Sequence, residues 1–157
     1  MKKSQSKINW KVLIISLVVV YLIGFLGSIF TSPAVSSDWY LQNKPSITPP
    51  GFVFPIVWNV LFFLIAISIY FSFTNFKDKK NVVVLFGINL LLNFLWSILF
   101  FGMKNPFYAF IDLILLWLSI LSLVIFNWKI SRISSYLLIP YLLWVSFAGY
   151  LNLLFFI

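Results

Sequence analysis

The stretch from Phe107 to Trp128, FYAFIDLILLWLSILSLVIFNW, is 22 residues long and contains one charged side chain, Asp112. About 20 predominantly apolar residues span the hydrocarbon of a bilayer as a helix, so this segment reads as a transmembrane helix. Four further runs have the same character, roughly 12–30, 52–73, 82–101 and 135–157. Short polar connectors separate them, and together the runs account for most of the 157 residues. The expected fold is therefore an all-α integral membrane protein, a bundle of five transmembrane helices in one domain spanning 1–157.

Composition agrees. Hydrophobic residues make up 62% of the chain and charged residues 9%, against about 25% charged in a soluble domain. The first run, preceded by Lys2, Lys3, Lys7 and Lys11, has the basic flank of a signal peptide. Its length and the Gly and Ser in its second half fit a retained helix better. The net charge of +8 is spread over segments that flank apolar runs, which favours lipid headgroups over nucleic acid as its partner. Nine of the basic residues fall on one side (Lys2, Lys3, Lys7, Lys11, Lys77, Lys79, Lys80, Lys129, Arg132), and Lys44 and Lys104 fall on the other. The positive-inside rule then predicts a cytoplasmic amino terminus, an outward carboxyl terminus and residence in the cell membrane.

Histidine, cysteine and glutamate are all absent. That excludes thiolate and His-based metal sites, a Ser-His-Asp triad and paired-glutamate hydrolysis, and no metal or cofactor is expected. The segment 31–51 carries Pro33, Pro45, Pro49 and Pro50 and reads as a stiffened loop, a lid on the outer face.

Within the runs, polar and aromatic residues recur at helical spacing. Asn89, Asn93, Trp96 and Phe100 share one stripe, and Tyr141, Trp144, Ala148 and Asn152 share another. Unpaired amides cost several kcal/mol in hydrocarbon, so both stripes are expected to face the bundle interior, as interhelical bonds or as a ligand wall. Ala148 leaves a gap between large neighbours, either for a second helix or for a ligand. Asp112, one turn beyond Tyr108, has no basic residue at its depth. A proton or a donor from Tyr, Asn or Trp is expected to neutralise it. Trp58 and Phe62, one turn apart, complete a set converging at one depth beneath the lid. Gly24 and Ser28 form a small-xxx-small pair, read as close helix packing or a dimer contact.

In order along the chain, Trp39-Tyr40, KPSITPPGFVFPIVW from Lys44 to Trp58, NFLWS from Asn93, FFG from Phe100 and PYLLWVSFAGYLN from Pro140 to Asn152 resemble the TspO/MBR family of tryptophan-rich sensory and translocator proteins. The resemblance implies a homodimeric five-helix bundle that binds porphyrins and lipophilic isoquinoline carboxamide or benzodiazepine ligands. By position it implies a pocket lined by Trp58, Asn93, Trp96, Tyr108, Trp144, Ala148 and Leu151, with Tyr40 and Pro50 in the lid. Tyr108 stands where several members carry Trp. No Lys or Arg follows Tyr150, so the cholesterol-type pattern is missing there.

A slot walled by Trp58, Trp96 and Trp144 would stack the face of a flat tetrapyrrole while Asn93 and lid backbone groups meet its polar edge. The lack of His and Cys favours a metal-free porphyrin. Light- and oxygen-dependent porphyrin breakdown, with Trp58 and Trp144 as the redox-active side chains, is the one enzyme-like reading. Transport or sensing of lipophilic molecules is the alternative.

Overall fold

The computed structural model describes residues 8–157. Lys2, Lys3 and Lys7 of the basic flank lie outside the described residues. Six α-helices follow one another: α1 (Trp10–Ala34), α2 (Asp38–Asn43), α3 (Val53–Asn75), α4 (Lys79–Ser97), α5 (Pro106–Trp128) and α6 (Arg132–Leu153). All but α2 are long and apolar enough to cross a membrane, α4 together with the π-helical segment Ile98–Gly102 that extends it. The chain is a multi-pass integral membrane protein.

Most of these starts are written into the sequence as caps. Asn9, Ser37, Asp78, Asn105 and Ser131 each accept a backbone N–H from three residues on, at 3.2–3.4 Å. Each cap satisfies one of the four amides that a helix start leaves without an internal partner. Helix α3 lacks a side-chain cap and begins behind Pro49-Pro50. The connector before α5 turns through Lys104, whose φ of 50° lies in the left-handed region that disfavours a Cβ.

In the bundle, α1 packs on α3 and α4, α3 on α6, α6 on α5, and α5 on α4, a closed ring of five spans. At most 33% of the most apolar window of any span is buried. The remaining Leu, Ile, Val and Phe side chains point outward, Ile14, Val18, Leu22 and Phe25 on α1 among them, as a protein solvated by lipid tails requires. Interior positions recur with helical period on α5: Ala109, Asp112, Leu116, Ile120, Leu123 and Asn127.

The structure departs from the expected boundaries in three places. Helix α1 continues past 30 to Ala34, because Pro33 costs one backbone hydrogen bond and the chain leaves the helix only afterwards. The lid is shorter than 31–51 and holds the helix α2, nucleated by Ser37. The last span begins at Arg132 instead of 135, where Ser131 caps it, and ends at Leu153. Two turns follow, with Phe155 N–H donating to the Asn152 carbonyl and Phe156 N–H to that of Leu153, both at 3.2 Å. They fold the terminus back under the lid.

The packing pair on α1 is also different from the one expected. A Cβ on Gly24 would sit 2.3 Å from the Phe62 ring, and one on Gly27 would sit 3.1 Å from Ser97 Oγ. Gly24 and Gly27 therefore admit α3 and α4, while the Ser28 hydroxyl donates to its own helix at Phe25.

Candidate functional site

The end of the bundle that carries α2 is called here the lid end, and the opposite one, near Lys77–Lys80 and Lys129–Arg132, the basic end. Two aromatic groups fill the lid-end half. The first is a ladder across the α3–α6 seam. Trp58 meets Tyr141 with centroids 6.2 Å apart, and one turn nearer the lid Phe54 meets Trp144 at 5.8 Å, both edge-on. Their sequence sums differ by one, as expected for antiparallel helices in steady register. Phe62 continues the ladder against Trp58 at 5.3 Å and rests on the open backbone of Gly24.

The second group climbs α4 into the lid. Trp96 stacks on Phe100 at 5.1 Å, and Phe100 meets Trp39 of α2 at 5.8 Å. Tyr40 meets Phe101 at 5.9 Å, and Phe155 from the terminus contacts both Trp39 and Tyr40. Two consecutive α4 residues, Phe100 and Phe101, are buried at 3% and 7% exposure because the π turn displaces one of them from its α-helical azimuth. Burial among these rings raises the pKa of the Tyr40 hydroxyl above its ordinary 10.0.

Hydrogen bonds tie the two groups together. Asn93 Nδ2 donates to the hydroxyl of Tyr141 at 3.0 Å, and Tyr141 is fully buried. Trp96 Nε1 donates to Asn152 Oδ1 at 3.0 Å, and Asn152 Nδ2 donates to the Pro106 carbonyl at 2.8 Å. Asn89 Nδ2 donates to Ser119 Oγ at 2.8 Å. The interior placement expected for the amides of both stripes holds, and Tyr141 is the hub through which α4 reaches α3 and α6.

Asp112 is 4% exposed, and the donor expected for it is not there. Among the described residues the buried side-chain polar atoms without a partner are Thr48 Oγ1, Asn89 Oδ1 and both carboxylate oxygens of Asp112. Trp96, the nearest plausible donor by register, spends its N–H on Asn152. Leu151 is 7% exposed and Ala148 half-buried beside the ladder.

Tyr108 and Pro50 are not brought into this set. Tyr108 is 56% exposed, its ring against Phe107 on the lipid-facing surface, because Asn105 and Pro106 start α5 with Ala109 and Asp112 inward. Pro50 is exposed at the edge of the lid. Trp144 also lines an open apolar groove of about 520 Å³ between α3 and α6, with Val57, Val60, Pro140, Leu143 and Phe147.

A polar cluster at the basic end was not singled out from the sequence. The Ser68 and Ser134 hydroxyls lie 2.7 Å apart, Ser72 and Ser134 2.6 Å, and Ser72 also donates to Asn127 Oδ1. The cluster pins α3, α5 and α6 together. Its signal in the sequence is two serines four apart in an apolar run, Ser68 and Ser72, the spacing of one helix face.

The TspO/MBR family model matches residues 15–157. The chain belongs to the TspO/MBR family. Among TspO relatives, the tryptophan-rich protein TspO of Archaeoglobus fulgidus is 42% identical over 142 residues, 89% of this chain and 92% of its own. That of Chlorobaculum tepidum is 44% identical over 135 residues, 83% and 84% of the two chains. The similarity extends to animals: the translocator protein of Bos taurus is 31% identical over 134 residues, 82% of this chain and 79% of its own. In this TspO/MBR chain the motif residues Trp39, Trp58, Asn93, Trp96, Trp144 and Asn152 occupy the lid-end half. The serine cluster secures the basic end.

Proposed function

We propose that this TspO/MBR protein binds flat, lipophilic aromatic ligands, porphyrins and isoquinoline carboxamide or benzodiazepine types among them, within the lid-end half of the bundle. The observation that carries the reading is the joining of two aromatic groups through Asn93, Tyr141, Trp96 and Asn152 beneath an aromatic lid. A ligand exchanges ring–ring contacts for contacts with its own face and meets amides already oriented by the helices. Trp58, Phe62, Trp144, Ala148 and Leu151 form one wall, Asn93 and Trp96 another, Asp112 lies on the α5 side, and Tyr40 closes the top. The charge bias directs the lid end outward. The protein acts as a homodimer, as the family likeness suggests.

The test is quenching of tryptophan emission by protoporphyrin in lipid nanodiscs. Trp144→Phe and Ala148→Leu, the second filling the space beside the ladder, are expected to weaken binding at least tenfold. Equal affinities in all three proteins would refute the assignment. Breakdown of the bound porphyrin in light and oxygen is a further property of the same site, resting on Trp58 and Trp144. If the double Trp→Phe variant binds porphyrin and bleaches it at the wild-type rate, the indoles take no part.

A further inference from the structure

Asp112 stands out in the chain because nothing in the bundle satisfies it. It is 4% exposed, both carboxylate oxygens lack a hydrogen-bond partner, and no Lys or Arg occurs between Phe107 and Trp128. Buried polar groups elsewhere in the spans are paired, Ser68, Ser72, Asn127, Ser134 and Asn152 included. A carboxylate in hydrocarbon is costly, and its retention points to a partner supplied from elsewhere.

Its depth follows from the packing register. Asn89 of α4 meets Ser119 of α5. Trp96 and Asp112 each lie seven residues nearer the lid on these antiparallel helices, hence at one level and on the same faces. Across the other interface, Leu113 fits against Gly149 and Trp117 donates to Ser146, so Asp112 is level with the turn Gly149–Asn152 of α6. Asp112 thus sits beside the proposed ligand region, at the depth of Trp96. The Trp96 N–H is committed to Asn152. A second unfilled acceptor, Asn89 Oδ1, lies two turns deeper along the same α4–α5 interface.

An interface that offers acceptors and withholds donors selects for a ligand that brings donors. We propose that Asp112 recognises an N–H group, or a protonated ring nitrogen, on a flat heteroaromatic ligand, and so sets which of the molecules that fit the aromatic walls are held. This rests on the ligand-site reading above and adds a chemical requirement to it. Discrimination by a buried acceptor is strong because an analogue lacking the N–H leaves the carboxylate desolvated and unpaired.

The test uses carbazole and N-methylcarbazole, flat tricycles that differ by one N–H, titrated into the purified protein in nanodiscs by quenching of tryptophan emission. Wild type is expected to prefer carbazole by about ten- to a hundredfold, the range for a hydrogen bond to a charged group. Because the methyl group adds bulk, the informative quantity is the preference in wild type divided by that in Asp112→Leu, where it is expected to fall to about one. Asp112→Asn keeps the shape and one acceptor, provides the comparison if the leucine variant does not fold, and is expected to retain a reduced preference. The same preference in wild type and in the folded variants overturns the proposal. Protoporphyrin is titrated against wild type in parallel. Wild type that quenches with protoporphyrin yet shows no N–H preference sinks only the role of Asp112, whereas loss of protoporphyrin binding itself sinks the ligand-site reading.

Discussion

Trp96 and Asn152 are joined by a 3.0 Å hydrogen bond from indole to amide, and the same amide donates onward to the Pro106 carbonyl at 2.8 Å. One side chain therefore links α4, α6 and the first turn of α5. Asn152→Leu leaves an indole N–H and a carbonyl without partners in an apolar setting. The expected loss is about 1–3 kcal/mol, read as a lower thermal midpoint in nanodiscs. An unchanged midpoint would mean that the link carries no stability.

At the other end, Ser72 and Ser134 share a hydrogen bond at 2.6 Å and meet Asn127 and Ser68. Interhelical polar bonds in membranes average about 0.6 kcal/mol and reach about 1.7. Ser134→Ala, which cuts two of these links, is expected to destabilise by about 1 kcal/mol without altering porphyrin affinity. A change in affinity with stability held would tie the cluster to the ligand site.

Two glycines in the spans separate packing from propensity. A side chain at Gly24 collides with the Phe62 ring, whereas nothing lies within 4 Å of the Cβ position at Gly87. Gly24→Ala is expected to cost about 1–3 kcal/mol by overpacking, and Gly87→Ala to be neutral or to gain up to about 1 kcal/mol. Thermal unfolding of the two variants side by side decides it, and equal effects would rule out the close approach of α1 and α3.

The lid responds to alkali. Burial raises the pKa of Tyr40 above 10.0, so the folded lid holds the phenolic proton more tightly than the unfolded chain does. The associated stability is complete below pH 10, the unfolded value, and is lost as the pH climbs from there through the raised folded value. Tyrosinate absorbance and tryptophan emission followed together should show the lid loosening in that alkaline window. In Tyr40→Phe the emission change should vanish; its persistence would assign the transition elsewhere.

Much of the fold was legible because a bilayer allows few solutions. Twenty apolar residues with capping side chains at their starts are helices, and Asn89, Asn93 and Asn152 had to turn inward. Some of the site was legible for the same reason, since Trp58, Asn93, Trp96 and Trp144 fall on inward stripes. Tyr108 escaped this logic because an aromatic near a helix start is equally at home against lipid, and its azimuth depends on where Asn105 begins the helix. The hub role of Tyr141 and the arrival of Phe155 under the lid depend on which helices become neighbours, a tertiary matter that periodicity along one helix does not carry. The helix inside the lid was hidden by the surrounding prolines, although Ser37 marks its start.

The π turn at Ile98–Gly102 carries a consequence for sequence length. Its Met103 N–H reaches back five residues to Ile98, so the helix accommodates one residue beyond what its rise requires. A chain shortened by that single residue would keep its hydropathy profile and its span count, yet the rotational phase of everything after it would advance by about 100°. The lid would then face one aromatic ring where it now meets two. The integrity of the lid is thus encoded in the number of residues between Trp96 and Asn105 as much as in their identity.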